Sequence, residues 1–529
     1  MLAYVSSACR RITRDGTSTR DGTQFDAASI MLCESLSPVP NSDRFRPKFH
    51  LTPPECWMND PNGALLSATG YHLFYQHNPK ASTWGEIVWR HARSDDLVHW
   101  QDLGPSLDAA DRMAFSGSAL ECTEYQLGIS TDAGAMTNKA IVAAYTAHDA
   151  VTGNEQQRIA YSFDSAQTWT PLVDGPAIPL DQPHFRDPRI LWHAETQCWI
   201  MLIVRAIEHR VVFYNSRDLR SWQETGSFHV AEEPGVEWEC PDLVRFDDPA
   251  SKSRSLWMLK LDVSRGALAG GSGGKYFLGE FDGREFRSLP LVQNGSNPRS
   301  HWAWLDYGKD FYAAQTFSGV PESDNPVWIA WASNWQYARQ TPTDGWRGCQ
   351  SIPRRLSLRS TDGTYQLLQE PVSALKNVRS DLFAIHSALL GGDQRHSHYV
   401  GLCFDLECRF ENWSAEEFGL VIAAGDHCET RLIFYPERGV IVLDRTMSGD
   451  VDFSDQFPGR HEAPCNFEGS IDLRVVLDQS ILEVFINDGA IVFTDLIFPD
   501  VDAGYLEPYA RHGEVELRSL RCWELEART

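Results

Sequence analysis

Short hydrophobic runs recur at regular intervals along the N-terminal part of the chain. YHLFYQ, KAIVAAY, CWIMLIVR and SLWMLKL begin at residues 71, 139, 198 and 255. Runs of this length between turn residues predict β-strands, whereas an amphipathic helix would need a longer pattern. Helical periodicity is confined to a short stretch at about residues 371–378. The pattern therefore indicates an all-β protein.

A degenerate turn sequence accompanies these runs. Serine and aspartate precede a tryptophan in residues 94–100, 162–169 and 216–222, and a related turn occupies residues 281–283. The repeat length of roughly 55 to 70 residues suits one four-stranded blade of a β-propeller. We therefore predict a five-bladed β-propeller over residues 42–368. The alternative is that Ser-Asp turns before tryptophan recur by chance in a β-rich chain.

The pattern changes near residue 369. Segments such as EFGLVIAAG, GVIVLDR and ILEVFIN alternate apolar and polar residues and are separated by turns. Such alternation is typical of antiparallel sheets with one buried face. We predict a linker at residues 369–385 and a β-sandwich at residues 386–529. Residues 1–41 are polar and are predicted to be disordered.

Composition narrows the class of partner. The chain has 529 residues and a formal net charge of −25, which argues against nucleic acid and anionic membranes as partners. No apolar run reaches the length of a transmembrane helix, and no secretory signal is evident. A cytoplasmic protein is expected. A neutral substrate fits this charge, but the favoured interpretation is that the charge only keeps the protein soluble. An organelle presequence is the weaker alternative, because acidic residues recur in the N-terminal segment.

The 12 cysteines are scattered and form no CxxC pair, so no zinc site is expected. Cys403, Cys408 and Cys428 are close in sequence, and we expect free thiols there rather than disulfides. Two glycosylation sequons, at Asn294 and Asn412, are few enough to arise by chance.

Three acidic residues stand out by context. Asp60 lies in the turn sequence WMNDPNG, which would hold its side chain on a rigid frame. Asp187 follows Arg186, whose charge is expected to keep the carboxylate ionised. Glu239 lies between Glu237 and Asp242, and crowded carboxylates raise one another's pKa, as a proton donor requires.

Together these motifs resemble glycoside hydrolase family 32, the invertase and fructanase family. The motifs that carry the resemblance, in chain order, are WMNDPNG (57–63), FYQHNP (74–79), FSGSA (115–119), RDP (186–188), EWECPDL (237–243), YGKDFYAAQTF (307–317), WASNW (331–335), IPR (352–354) and SILEVFIN (480–487). The resemblance implies a five-bladed propeller followed by a sandwich. It also implies a retaining β-fructofuranosidase acting on sucrose and possibly short fructans, with fructosyl transfer at high sucrose. Exo-inulinase, levanase and dedicated fructosyltransferase remain the alternatives within the family.

The resemblance also assigns roles to individual residues. Asp60 matches the nucleophile, Asp187 the transition-state stabiliser and Glu239 the general acid/base. The residues that match positions lining the fructose pocket are Asn59, Gln76, Trp84, Phe115, Ser116, Arg186 and Trp335. Arg90 departs from the family, which usually has glycine there. This puts in doubt the local surface or the leaving-group side of the pocket, but not the three acids. The resemblance implies no cofactor, and no histidine pair has metal-ligand spacing.

Two rival functions remain at this point. The turn at residues 162–169 resembles one repeated in sialidases, which use a tyrosine nucleophile and an arginine cluster. The second rival is a sugar-binding protein that has kept the fold and lost the chemistry. The sandwich would offer a surface for a homodimer, but the sequence leaves the oligomeric state open.

Overall fold

The computed structural model describes residues 43–129, 139–231, 236–291, 301–361, 364–392 and 396–526, so the segment 1–41 predicted to be disordered lies outside it. These residues form 35 β-strands and short 3-10 helices at Ala206–Glu208, Ser373–Val378 and Pro436–Arg438. Among them, no helix has the length and apolar character needed to span a membrane.

Five sheets make up the N-terminal part, each built on four antiparallel strands, and two of the sheets include a fifth, short strand. Blade 1 contains β1 (Cys56–Ser67), β2 (Gly70–Asn78), β3 (Val88–Ser94) and β4 (Trp100–Leu107). Blade 2 contains β5 (Met113–Thr123), β6 (Lys139–His148), β7 (Glu155–Ser162) and β8 (Thr170–Pro171). Blade 3 contains β9 (Phe185–His193), β10 (Cys198–Arg205), β11 (Arg210–Ser216) and β12 (Gln223–His229).

The last two blades carry small additions to the same pattern. Blade 4 contains β13 (Trp238–Asp248), β14 (Ser251–Val263), β15 (Gly273–Phe281) and β16 (Phe286–Ser288), and β17 (Ala303–Trp304) pairs with β15. Blade 5 contains β18 (Tyr312–Thr316), β19 (Val327–Trp331), β21 (Arg354–Thr361) and β22 (Thr364–Pro371). The short strand β20 (Trp346–Arg347) leaves this blade and pairs in parallel with β1.

The innermost strands of the five blades form a closed ring. Strand β1 contacts β5, β5 contacts β9, β9 contacts β13, β13 contacts β18, and β18 contacts β1 again. Apolar clusters fill the spaces between adjacent blades, where sheets pack face to face. The predicted five-bladed β-propeller is confirmed.

The repeat seen in the sequence is the turn between the third and fourth strands of a blade. In blade 1 the carboxylate of Asp96 accepts hydrogen bonds from the backbone N–H groups of Val98 and His99 at 2.9 and 2.8 Å. Asp164 and Asp218 cap the corresponding turns of blades 2 and 3 in the same way. The repeat therefore reports the local hydrogen bonding of these turns.

The C-terminal part is a two-sheet β-sandwich, as predicted. One sheet contains β23 (Arg379–Ile385), β24 (Ala388–Gly391), β26 (Cys403–Glu411), β31 (Ile471–Asp478), β32 (Ile481–Ile486), β33 (Ile491–Leu496) and β35 (Glu514–Leu525). The other contains β25 (His398–Tyr399), β27 (Glu417–Ala424), β28 (Glu429–Tyr435), β29 (Val440–Met447), β30 (Arg460–Pro464) and β34 (Tyr505–Arg511). Strand β23 pairs with β35, although it lies inside the stretch 369–385 assigned to a linker from the sequence. The cysteines of the described chain, including Cys403, Cys408 and Cys428, carry free thiols.

A buried ionic cluster joins the propeller to the sandwich. His50, just before blade 1, contacts Asp478 at 2.9 Å and Glu483 at 3.3 Å, and all three side chains are fully buried. Arg354 of blade 5 contacts Glu483 at 2.8 Å. Burial acts to lower the pKa of His50, but the hydrogen bonds and charges of the two carboxylates outweigh it and raise the pKa to about 9. The cationic imidazole therefore holds the two parts together.

We expect this contact to weaken at alkaline pH. The pKa of His50 is raised above its unfolded value. Its contribution to the free energy of unfolding is therefore fully present below pH 6.5 and is lost as the pH rises toward 9. The contribution amounts to roughly 3 kcal/mol. Thermal unfolding should show a Tm that falls over this window in the wild type. His50→Gln should have a lower Tm that depends less on pH, whereas His427→Gln, in an exposed turn, should follow the wild type. Equal pH dependence in the His50 variant would contradict the assignment.

Candidate active site

Each innermost strand of the propeller carries a β-bulge at the same level. In each bulge, the innermost strand advances by three residues while its partner advances by two, so the innermost strand has one extra residue. The bulges span Met58–Pro61, Ala114–Gly117, Arg186–Arg189, Glu239–Asp242 and Tyr312–Gln315. Bulges redirect side chains, and here they direct side chains from all five blades toward one end of the central channel.

A cavity of about 540 Å³ occupies this end of the channel. The ten residues predicted to be catalytic or to bind the sugar line it, namely Asn59, Asp60, Gln76, Trp84, Phe115, Ser116, Arg186, Asp187, Glu239 and Trp335. Its volume is within the range of small-molecule sites. Within the described residues, no group of three or more His, Cys, Asp or Glu side chains has an arrangement that could hold a metal ion.

Asp60, on β1, lies at the bottom of the cavity with 6% of its surface exposed. Its carboxylate accepts hydrogen bonds from Ser116 Oγ at 2.6 Å and from Asn59 Nδ2 at 3.0 Å. Gln76 donates to Ser116 Oγ at 2.6 Å and thereby fixes that hydroxyl. Neutral donors on three strands therefore hold the carboxylate in one orientation, as a positioned nucleophile requires.

Asp187 lies at the bulge of β9, in the left-handed backbone region with φ of 66°. Its carboxylate accepts a hydrogen bond from the backbone N–H of Cys240 at 2.8 Å. Burial raises its pKa to about 8 against the opposing charge of Arg186. Contrary to the expectation from their adjacency in sequence, the charge of Arg186 therefore does not hold the pKa of Asp187 low. The physical reason is that burial dominates, while the guanidinium contacts other carboxylates more closely than Asp187.

Glu239, at the start of β13, is held from two sides. The Tyr312 hydroxyl donates a hydrogen bond to Oε2, and Arg186 Nη2 donates to Oε1 at 3.0 Å. Burial raises the pKa of Glu239, and the charges of Asp60 and Glu237 act in the same direction, while Arg186 and Tyr312 lower it. The direction predicted from the sequence agrees, and it suits a proton donor.

The three acids of residues 237–242 do not act as one cluster. Asp242 points away from the cavity, is buried, and forms an ion pair with Arg189 at 2.8 Å. It also accepts hydrogen bonds from the Thr316 backbone and hydroxyl at 2.7 and 2.8 Å. The crowding inferred from sequence therefore involves Glu237 but not Asp242, because Asp242 lies beyond the bulge of β13 and is held by Arg189 and Thr316.

Aromatic side chains form the rim of the cavity. Trp84 and Phe115 meet edge to face with ring centroids 5.7 Å apart, and His148 stacks on Phe115 at 4.2 Å. Trp335 stacks on the buried Trp57 at 6.1 Å, and the guanidinium of Arg339 lies 5.7 Å from the Trp84 ring. The cavity thus combines carboxylates at its base with apolar ring faces at its rim, as sugar pockets do.

The structure adds residues that sequence reasoning missed. Glu155 contacts Arg186 at 3.6 Å and accepts a hydrogen bond from the Phe185 N–H at 2.8 Å. Tyr312 lies within the matched motif YGKDFYAAQTF, so that motif could have drawn attention to it, whereas no motif marks Glu155. Arg90 does not line the cavity, because it forms two hydrogen bonds with Asp102 at 2.7 and 2.6 Å on the side of blade 1.

Cys240 lies beside Asp60 and Asp187 but is a poor nucleophile. Its Sγ lies 3.5 Å from Asp60 Oδ2, and burial, followed by the charges of Asp187 and Asp60, raises its pKa well above the ordinary thiol value. A thiol that keeps its proton is a hydrogen-bond donor, not an attacking group.

Cys240→Ser is therefore expected to keep at least about a tenth of the wild-type kcat, because its hydroxyl can donate to Asp60 in place of the thiol. Steady-state turnover of the purified variant would test this. A loss as deep as that of an Asp60 variant would show that the thiol takes part in the chemistry.

Comparisons with known proteins agree with this geometry. The model described as "Glycosyl hydrolases family 32 N-terminal domain" matches residues 50–371, and "Glycosyl hydrolases family 32 C terminal" matches residues 374–524. A levanase of Bacillus subtilis is 36% identical over 499 residues, covering 91% of this chain and 70% of the levanase.

Two solved structures are also similar. The exo-inulinase of Aspergillus awamori superposes with a TM-score of 0.84 at 31% identity, covering 91% of this chain and 98% of the other. A fructofuranosidase of Schwanniomyces occidentalis, complexed with fructose, superposes with a TM-score of 0.82 at 28% identity, covering 93% of this chain and 100% of the other.

Proposed function

Since the chain belongs to glycosyl hydrolase family 32, we propose that this glycoside hydrolase releases terminal β-linked fructose from fructans and from sucrose. Family membership removes the sialidase-like interpretation, which rested on one turn. The observation that carries the proposal is the convergence of Asp60, Asp187 and Glu239 on the base of one cavity.

The proposed reaction is a double displacement. Asp60 attacks C2 of the bound fructosyl unit while Glu239 protonates the departing oxygen. Tyr312 and Arg186 orient the Glu239 carboxyl group, and Asp187 binds fructose hydroxyl groups. Water then attacks the fructosyl-enzyme, with Glu239 now removing a proton from it. A sugar hydroxyl in place of water would give fructosyl transfer, which high sucrose favours.

Several features support action at chain ends. The nucleophile candidate lies at the closed base of the cavity, beneath the ring of bulges, so a terminal unit reaches it more readily than an internal one. The rim aromatics and Arg339 lie where the remainder of the substrate would leave the pocket. The similar levanase and exo-inulinase favour fructans as substrates beside sucrose, which the sequence motifs suggested first.

Product analysis tests the proposal directly. The purified protein should release free fructose from levan, inulin and sucrose, without early oligosaccharides from the two polymers. The first-formed fructose should be the β-anomer, because double displacement retains configuration. Carbon NMR or polarimetry would identify this anomer. Release of oligosaccharides alone, an α-first product or no fructose from any of the three would overturn the proposal.

A further inference from the structure

Arg186 is shared among four carboxylates. Its guanidinium lies 2.6 Å from Glu237, 3.0 Å from Glu239, 3.6 Å from Glu155 and 4.0 Å from Asp187. The two closest contacts use the same nitrogen, Nη2, so Glu237 and Glu239 compete for one donor group. A single delocalised charge cannot fully compensate four anions at this depth.

Glu237 differs from the other three carboxylates by its position at the rim. Its side chain is 31% exposed, whereas that of Glu239 is 20% exposed and that of Asp187 is 6% exposed. His184, also at the rim, places Nδ1 3.4 Å from Glu237 Oε1. Glu237 can therefore remain hydrated on one side while it holds Arg186 on the other, so its charge costs little to maintain.

We propose that Glu237 is a positioning residue that draws Arg186 away from Glu239 and so lets Glu239 keep its proton in the resting enzyme. This rests on the proposed role of Glu239 as the acid that protonates the leaving group. Without Glu237, Arg186 Nη2 would serve Glu239 alone and would stabilise its ionised form. Glu239 would then already be ionised when the substrate binds and could not protonate the leaving group.

Other charged and titratable groups also surround Glu239. They come from every neighbouring innermost strand and from β14, and they comprise Asp60, Arg186, Asp187, Cys240, Lys260, Asp262 and Tyr312. Lys260 is paired with the buried Asp262 and with the Cys240 carbonyl at 3.0 Å. Among the carboxylates that contact Arg186, Glu237 combines the shortest contact with the greatest exposure, so its charge can be removed with the least change in packing around the cavity.

Replacing Glu237 by a neutral residue should lower the pKa of Glu239 for two reasons. Loss of the Glu237 charge removes a repulsion that favours protonated Glu239, and it frees Arg186 to bind ionised Glu239. Both lower the pKa of the acid. The alkaline limb of the kcat/KM profile, which reports the acid in the free enzyme, should therefore move to lower pH by roughly one unit in Glu237→Gln.

The experiment compares pH profiles of fructose release from sucrose. Glutamine can still accept a hydrogen bond from Arg186, so Glu237→Gln changes charge with little change of shape. Glu237→Asp keeps the charge and should keep the alkaline limb near its wild-type position even if turnover falls. Glu285→Gln, an exposed acid of blade 4 paired with Arg287, should leave the profile unchanged.

The outcomes separate this inference from the proposed function. If the wild type and Glu285→Gln release fructose while the alkaline limb of Glu237→Gln stays in place, the positioning role is wrong and the function stands. A loss of turnover in Glu237→Gln without any shift would likewise reject it in favour of a merely structural role. If the wild type releases no fructose, the function itself fails.

Discussion

Asp60→Ala is expected to lower kcat/KM for fructose release by at least about 10⁴-fold, because no covalent intermediate can form without the carboxylate. The variant should remain folded. Asp60 is one of five carboxylates that line one cavity, so its removal relieves repulsion, and the Tm should stay level or rise. Steady-state kinetics and thermal unfolding measure the two effects.

Asp95→Asn provides the matched control for this variant. Asp95 is also in blade 1, but its side chain is 81% exposed and pairs with Arg93 at 2.6 Å. It should have wild-type kinetics. Turnover of Asp60→Ala within tenfold of the wild type would exclude Asp60 as the nucleophile, whereas loss of activity together with the fold would require a test with Asp60→Asn.

Glu239→Ala should lower turnover of sucrose by roughly 10²- to 10⁴-fold, the usual contribution of a general acid. Its pattern of rescue differs from that of Asp60→Ala. A fructoside with a good leaving group needs little protonation, so its first step should be nearly normal, and the fructosyl-enzyme should then accumulate. Azide needs no base to attack that intermediate and should restore turnover with formation of fructosyl azide.

Glu285→Ala, in the same blade as Glu239, should match the wild type and show no response to azide. Burst kinetics with the activated fructoside, with and without azide, separate the two chemical steps. An azide-insensitive Glu239→Ala variant that is equally slow on activated and natural substrates would count against the acid/base assignment.

Sequence patterns predicted the architecture because both of its signals are local. The turns capped by Asp96, Asp164 and Asp218 are determined within a few residues, and their spacing gives the blade. The alternation in the sandwich strands is equally local. Strand β23 was missed because its residues are half-buried or exposed, so the strand lacks a clear apolar face.

The candidate site was located from motifs, but its electrostatics could not be predicted from them. Adjacency of Arg186 and Asp187 suggested a pair, yet Arg186 lies closest to Glu237 and Glu239, more than 50 residues away. Tyr312 reaches Glu239 across 73 residues. Such contacts depend on the order of blades around the ring, which a single sequence does not state.

The ring of bulges has a consequence for biosynthesis. A nascent chain can form each blade soon after it leaves the ribosome, since the contacts within a blade are close in sequence. The pocket, in contrast, needs residues from all the blades, including Trp335 and Arg339, and β1 finds its last partner only when Trp346–Arg347 has been made. The Asp478 anchor for the residues before blade 1 arrives later still. Truncated chains can therefore contain well-formed sheets and yet lack enzymatic activity. Enzymatic turnover thus shows that the ring of blades has closed, whereas β-sheet content does not.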